Sequence, residues 1–240
     1  MTLVNRETRE GRAASWTPRD RVVAALVQAI LVVIYLWGVG FLWGVTRFSF
    51  LCDDAFISFR YARNLAGGYG LRFNLSESPP VEGFSNLLWV LIMSGVETVG
   101  PYSTFCSRSL SVLCGVGLVL LLFRFLWRRI GFSIWSAAGS CLFFVTLPPV
   151  AVWSTSGLAT MPFALLVFVV FDLLIGDEKG PRAWSAGLAG ILVVMLRTEG
   201  IAWALVLGGV IAISQGPANR RDHVRLLVPY LGMVVAAFAL

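Results

Sequence analysis

The sequence has little charge and almost no histidine. Only 13% of its 240 residues are charged and 58% are hydrophobic, whereas soluble domains have about 25% charged residues. His223 is the single histidine and lies in a basic segment, which argues against histidine-based catalysis or metal binding. The four cysteines show no CxxC or other metal-ligand spacing, and a disulfide between Cys52 and Cys106 is an alternative to free thiols. This composition excludes an ordinary soluble domain.

Long apolar runs separate the few charged stretches. A bilayer accepts such runs because each one closes its own backbone hydrogen bonds as a helix. The first run is too long for a signal peptide and no small-residue cleavage motif follows it, so we expect it to remain as an anchor. The sequence predicts an all-α polytopic transmembrane bundle of about seven spans, near 22–45, 109–127, 133–152, 159–175, 184–197, 200–215 and 226–240.

The orientation of the bundle depends on residues 85–99. This segment is apolar for only about ten residues, short of the roughly 20 that a span needs. If it forms a juxtamembrane helix, thirteen basic residues fall inside and six outside, as the positive-inside rule favours. The net charge of +6 is then explained by topology, so we expect membrane lipids as partners and no nucleic acid.

The domain organisation follows from this orientation. Residues 1–21 are predicted to be a cytoplasmic N-terminal tail, and residues 22–240 a transmembrane module whose loop 47–105 faces outside. We expect a multi-pass protein of the cytoplasmic (inner) membrane. Because the last run reaches Leu240 without a polar tail, we also expect the module to lack a C-terminal part.

The strongest candidate for chemistry is the pair Asp53–Asp54, directly after the first span on the outer side. An ionised carboxylate near the bilayer is costly unless it is used or paired. The segment AFISFRYARNLAGG that follows is patterned as a short amphipathic helix carrying Arg60 and Arg63. The aspartates are therefore either catalytic, or one of them is simply the N-cap of this helix.

Two further acidic positions lie on the same side. In the outer turn Arg197-Thr198-Glu199-Gly200, the arginine and the glutamate either pair with each other, or Arg197 binds an anionic phosphate while Glu199 orients it or the acceptor. Glu82, between a proline pair and a glycine, is either an exposed turn residue or a substrate contact. Carboxylates and arginines on one face suit transfer from a lipid-phosphate donor, since a carboxylate accepts the acceptor's proton and cations stabilise the departing phosphate.

Four motifs together resemble bacterial GT-C-type glycosyltransferases, most nearly the arabinofuranosyltransferases of mycobacterial cell-wall assembly. They are DDAFISFRYARNLAGGYGLRFN, VEGFSNLLW, TSGL and RTEG, within a resemblance that covers roughly residues 22–215. It implies a GT-C-like bundle with two juxtamembrane helices in the first outer loop. It also implies a polyprenyl-phosphate sugar donor, a cell-envelope glycan or lipid acceptor, and catalytic roles for Asp53 and Asp54.

The residues and the resemblance together name seven candidate substrate-binding residues: Arg60, Arg63, Asn64, Glu82, Asn86, Arg197 and Glu199. The chain departs from the family at Ala159, where an acidic residue usually follows the SGL turn, and in reading RTEG for RPEG. Family members are also longer. As cofactor, a divalent cation such as Mg²⁺ could bind the two aspartates, although two adjacent carboxylates are a weak metal signal.

The rival prediction is a non-catalytic membrane protein, either a transporter fragment or an inactive, truncated relative of the transferases. A transporter typically places ionisable residues at mid-membrane depth. Here only Asp172 lies well inside a predicted span, and the other candidate residues gather at one surface. This distribution favours the enzyme.

Overall fold

The computed structural model describes residues 17–45, 51–76, 78–175, 183–214, 228 and 230–235. Across these residues the chain is helical and contains no strand, which confirms the all-α prediction. We number the helices α1 (Pro18–Val45), α2 (Asp53–Ala66), α3 (Leu87–Glu97), α4 (Ser103–Arg124), α5 (Ile134–Thr146), α6 (Pro148–Thr155), α7 (Thr160–Ile175), α8 (Ala183–Leu196) and α9 (Gly200–Ser214). A π-helical turn, Phe125–Ile130, continues α4.

Two helical segments are long and apolar enough to cross a membrane. Pro18–Gly40 has 23 residues and Ser103–Ile130 has 28, so at 1.5 Å per residue both exceed the roughly 30 Å of a bilayer core. Helices α5 and α6 count as a third crossing if they are taken as one span, although they bend by 59°. The bend lies at Leu147, which is extended (ψ 123°) because Pro148 follows and disfavours a helical conformation there.

The remaining apolar helices are shorter, with 11 to 16 residues in α3, α7, α8 and α9. Their positions match the predicted segments closely, but each is shorter than the roughly 20 residues of a full span, so the structure supports two to three spans. The predicted tail lies almost entirely outside the described residues, and of the predicted last span, 226–240, only 228 and 230–235 are described.

The chain forms two compact units. The first comprises residues 1–50 and 115–155, and the second comprises 51–114 and 156–240. In the first unit α1 packs against α5 and α6. Its buried residues recur every three or four positions (Ala24, Val27, Leu31, Tyr35, Val39), and apolar side chains on its other faces are exposed, as a lipid-facing helix would have them. The buried Tyr35 hydroxyl hydrogen-bonds to Ser154 Oγ at 2.7 Å.

The second unit has two hydrophobic cores. One joins α7, α8 and α9 to the segment around Tyr230, whose hydroxyl donates to the carbonyl of Ala204 at 2.9 Å. Small residues allow this packing, because a side chain at Gly190 would meet Val234 at 2.9 Å. The other core joins α2 and α3 to residues Ala159 and Leu196, and it positions the candidate site.

Candidate functional site

The start of α2 is held by the turn at residues 156–158. Cys52 donates its backbone N–H to the carbonyl of Ser156 at 3.0 Å. Trp89 of α3, fully buried, donates its indole N–H to the carbonyl of Gly157 at 3.2 Å. Gly157 has φ +81°, and a Cβ there would lie 3.2 Å from that of Ala55. The SGL turn therefore supports the first turn of α2.

Asp53 and Asp54 occupy that first turn with exposed side chains. The N-cap is Cys52, which makes no side-chain capping bond, so the interpretation of either aspartate as the N-cap is wrong. In the part of the chain that the structure describes, neither carboxylate has a hydrogen-bond or ion-pair partner. The helix dipole favours both negative charges at this end. Two anchored, unpaired carboxylates are available to a ligand.

The buried face of α2 joins these carboxylates to Asn86. The side-chain amide of Asn86 donates to Ser58 Oγ at 2.9 Å, and Ser58 lies one helical turn after Asp54. The preceding residue, Ser85, accepts a hydrogen bond on its carbonyl from the backbone N–H of Thr198 at 3.2 Å. The structure thus places Asn86 against the N-terminal half of α2 and bonds the RTEG turn to the residue before Asn86.

Within the RTEG turn, Arg197 and Glu199 pair with each other. Arg197 Nε donates to Glu199 Oε1 at 2.5 Å, with the two side chains 37% and 48% exposed. The Arg197 guanidinium also lies 5.8 Å from the ring centroid of Phe163. Of the two interpretations made from the sequence, mutual pairing is the one observed. An anionic ligand that binds the Nε edge of Arg197 would have to displace Glu199.

Three other predicted substrate-binding residues lie on α2 and have partners within the protein. Arg60 Nε donates to the carbonyl of Phe73 at 3.0 Å and its guanidinium lies 5.1 Å from that ring. The Asn64 side chain donates to the carbonyls of Arg72 and Phe73, at 2.8 and 3.0 Å. Arg63 forms a 3.4 Å ion pair with Glu97, whose side chain is only 5% exposed.

The predicted residues of α2 lie at different distances from the aspartates along the helix. At 1.5 Å per residue, Asn64 lies about 16 Å along the helix axis from Asp53, whereas Arg60 lies about 10 Å away. Arg63 and Asn64 are thus at the far end of the helix from the aspartates. They hold α3 and the loop at residues 72–73, respectively, and the structure does not bring them to the carboxylates.

Glu82 is exposed, and the residues on both sides of it are hydrogen-bonded to the same tyrosine. The hydroxyl of Tyr61, a fully buried residue of α2, donates to the carbonyl of Val81 at 2.7 Å and accepts from the backbone N–H of Gly83 at 2.9 Å. Its ring also packs on Phe84 with centroids 4.7 Å apart. Sequence reasoning missed Tyr61. The available signal was a tyrosine on the buried face of an amphipathic helix, where the hydroxyl needs a partner.

Two departures from expectation concern Ala159 and Arg72. Ala159 is 3% exposed within the core that contains Ala55 and Phe59, so this position is a packing position. Arg72, which sequence reasoning did not single out, has a buried Nε without a hydrogen-bond partner among the described residues. Its carbonyl accepts a hydrogen bond from Asn64, so the backbone is fixed while the buried Nε has no partner among the described residues.

The described residues contain no group of three or more His, Cys, Asp or Glu side chains that could hold a metal ion. Cys52, Cys106, Cys114 and Cys141 are all free thiols, so the Cys52–Cys106 disulfide is not formed. The site therefore consists of Asp53 and Asp54, without partners among the described residues, at an anchored helix start, with Asn86 bonded to Ser58 of the same helix and the RTEG turn bonded to Ser85. No protein-family model, curated protein or solved structure matches this chain.

Proposed function

We propose that this chain is a membrane glycosyltransferase of the GT-C type, with about seven spans and its active site on the outer side of the cytoplasmic membrane. It would move a sugar, arabinofuranose being the one that the resemblance suggests, from a polyprenyl-phosphate donor to a cell-envelope glycan or lipid. The observation that carries the proposal is the exposed pair Asp53–Asp54, which has no hydrogen-bond or ion-pair partner among the described residues and follows Cys52, whose backbone N–H is bonded to Ser156.

The proposed reaction uses this geometry directly. Asp53 accepts the proton of the acceptor hydroxyl while that oxygen forms a bond to the anomeric carbon of the sugar. The bond between the anomeric carbon and the phosphate oxygen breaks, and the polyprenyl phosphate leaves with the electron pair. Asp54 supports the base or binds the acceptor. The membrane holds the lipid of the donor, which leaves positioning as the main task of the protein.

The donor phosphate needs a cation close to the aspartates. Arg197 is the best placed, because the RTEG turn is bonded to Ser85 beside Asn86. Its pairing with the half-exposed Glu199 is no obstacle, since an exposed ion pair contributes only about 0–1 kcal/mol. Arg60 is the second candidate cation, whereas Arg63 is paired with a buried glutamate at the far end of α2.

The alternative is a non-catalytic membrane protein, either a transporter fragment or an inactive relative of the transferases. One observation favours it: two of the arginines expected to bind phosphate, Arg63 and Arg197, already have acidic partners in the chain. Arginines that are already paired need no ligand to satisfy their charges, which is compatible with a purely structural role for these two residues.

A donor panel separates the two functions. The purified chain would be reconstituted in proteoliposomes with radiolabelled polyprenyl-phosphate sugars, including the arabinofuranosyl donor, and a mixed cell-envelope acceptor fraction. Transfer of label from one donor supports the enzyme. Absence of transfer from every donor, by a chain shown to be inserted and folded, supports the non-catalytic alternative.

A further inference from the structure

We propose that the arginine-rich end of the first unit binds the phosphate headgroup of an anionic phospholipid. This end, called the arginine end below, carries Arg19 and Arg21 of α1 and Arg124, Arg128 and Arg129 at the end of α4. The inference concerns a different surface from the aspartate site and does not depend on the proposed transferase activity.

The two sets of arginines lie at the same end because α1 and α4 run in opposite directions. The side chain of Gln28 reaches the carbonyl of Leu120 at 3.5 Å, and Tyr35 meets Ser154 at 2.7 Å. Residues 134–154 lead away from the end of α4. Because Gln28 lies at the level of Leu120 and Tyr35 at the level of Ser154, α1 runs in the same direction as residues 134–154. Pro18 lies about 15 Å before Gln28, and Arg128 about 12 Å beyond Leu120, at 1.5 Å per residue.

The charge at this end is strongly one-sided. Among its described residues, Asp20 is the one acid, and its carboxylate is engaged by Thr17, which donates its backbone N–H at 2.9 Å and its hydroxyl at 2.8 Å. Like charges four positions apart on a helix, such as Arg124 and Arg128, repel each other. A bound anion would relieve this repulsion. An anionic partner is therefore the complement that this surface requires.

The π-helical turn prepares the arginines for a phosphate. The guanidinium of Arg128 lies 5.0 Å from the ring centroid of Trp127, which is only 4% exposed. Stacking holds a guanidinium by its face and leaves its N–H edge for bidentate bonds to phosphate oxygens. Arg124 and Arg129 stand five positions apart, the spacing that a π-turn brings together. Arg124 and Arg128 are both exposed.

Neighbouring apolar side chains place this end at the depth of lipid headgroups. Gly131, with φ +84°, ends the π-turn, and exposed Phe132 and Trp135 follow it, the latter at 73%. Tryptophan at the end of an apolar span is typical of the membrane–water interface. Val22 and Leu26 of α1 are also exposed, at 59% and 60%. Basic surfaces at this depth bind anionic lipid headgroups.

Lipid binding to the full chain tests the inference. Native mass spectrometry of the delipidated protein would be titrated with phosphatidylglycerol and, separately, with zwitterionic phosphatidylcholine. The wild type should retain phosphatidylglycerol preferentially, and Arg124→Gln/Arg128→Gln should weaken that binding by about tenfold or more. A matched control, Arg63→Gln/Arg72→Gln, removes the same charge from α2 and its following loop, and should leave the preferential binding unchanged.

Equal binding of the two lipids by the wild type, or wild-type binding by Arg124→Gln/Arg128→Gln, would overturn the inference. A second measurement needs no substitution and covers the case in which that variant fails to fold. A phosphatidylglycerol with a photoreactive headgroup should label the wild-type chain within residues 124–135. Labelling found only outside the arginine end would contradict the proposal.

Discussion

Cys52 and Ser156 are joined by a 3.0 Å backbone hydrogen bond that fixes the residue directly before Asp53 to the SGL turn. The bond connects two segments more than one hundred positions apart in the chain. It explains why the two motifs can act together: one supplies the carboxylates and the other the support beneath them.

Replacing Gly157 with alanine should destabilise the support. The residue has φ +81°, which costs a non-glycine residue about 1–3 kcal/mol, and the added methyl would also press on Leu51 and Ala55. We expect a lower thermal unfolding midpoint in detergent. Gly139→Ala in α5 is the matched control, because nothing lies within 4 Å of its added Cβ. An unfolding midpoint for Gly157→Ala equal to that of Gly139→Ala would show that the turn tolerates a side chain.

Tyr61→Phe should loosen the loop that carries Glu82. The substitution removes both hydrogen bonds of the hydroxyl and leaves the Val81 carbonyl and the Gly83 N–H without their partner, at a cost of about 1–3 kcal/mol. Hydrogen exchange at residues 78–84 should accelerate. Tyr69→Phe serves as the control, since that side chain is 57% exposed. Unchanged exchange in Tyr61→Phe would mean that other contacts hold the loop.

Glu199→Gln should release Arg197 for the donor. Because the pair is half-exposed, freeing the guanidinium is worth at most about 1 kcal/mol, or roughly fivefold in donor affinity. We expect Glu199→Gln to lower the Kd for a polyprenyl monophosphate and Arg197→Gln to raise it, measured by ligand-induced change in thermal midpoint. If both substitutions leave the affinity unchanged, Arg197 does not contact the phosphate.

The predicted topology can be tested by cysteine accessibility. In a cysteine-free background, Glu82→Cys and Ser133→Cys place one thiol in the first outer loop and one beside the arginine end. A membrane-impermeant maleimide added to intact cells should label the first thiol and reach the second only after the membrane is opened. Labelling of both thiols in intact cells, or of Ser133→Cys alone, would contradict the orientation that the positive-inside rule predicts.

The helices were predictable because long apolar runs and the amphipathic pattern after Asp53 depend on the local sequence alone. The bend at Leu147 also has a local cause, Pro148, although the apolar run 133–152 by itself predicts one continuous span. The partner of Arg63 was beyond reach, whereas the pairing of Arg197 with Glu199 was one of the two alternatives that the RTEG turn offered. Whether Arg63 meets Glu97 depends on how α2 packs against α3, which no local pattern specifies.

The candidate site was likewise predictable only in part. The position of Asp53 and Asp54 at a helix start followed from the sequence, but the N-cap fell on Cys52 instead of on either acid. The burial of Ala159 and the contacts of Tyr61 arise from the core between α2, α3 and the SGL turn. The resemblance marks Ala159 as a departure from the family's acidic residue, and the structure adds that this position is buried in the same core.

The most direct test of the account is the rate of sugar transfer by Asp53→Asn in proteoliposomes, compared with the wild type and with Asp20→Asn as a matched aspartate substitution outside the site. Because a positioned general base contributes about 10²–10⁴-fold, Asp53→Asn should lose at least about 100-fold in rate while still binding the donor. Asp20→Asn should retain the wild-type rate. Transfer by Asp53→Asn at the wild-type rate would contradict the assignment of the base and with it the proposed site.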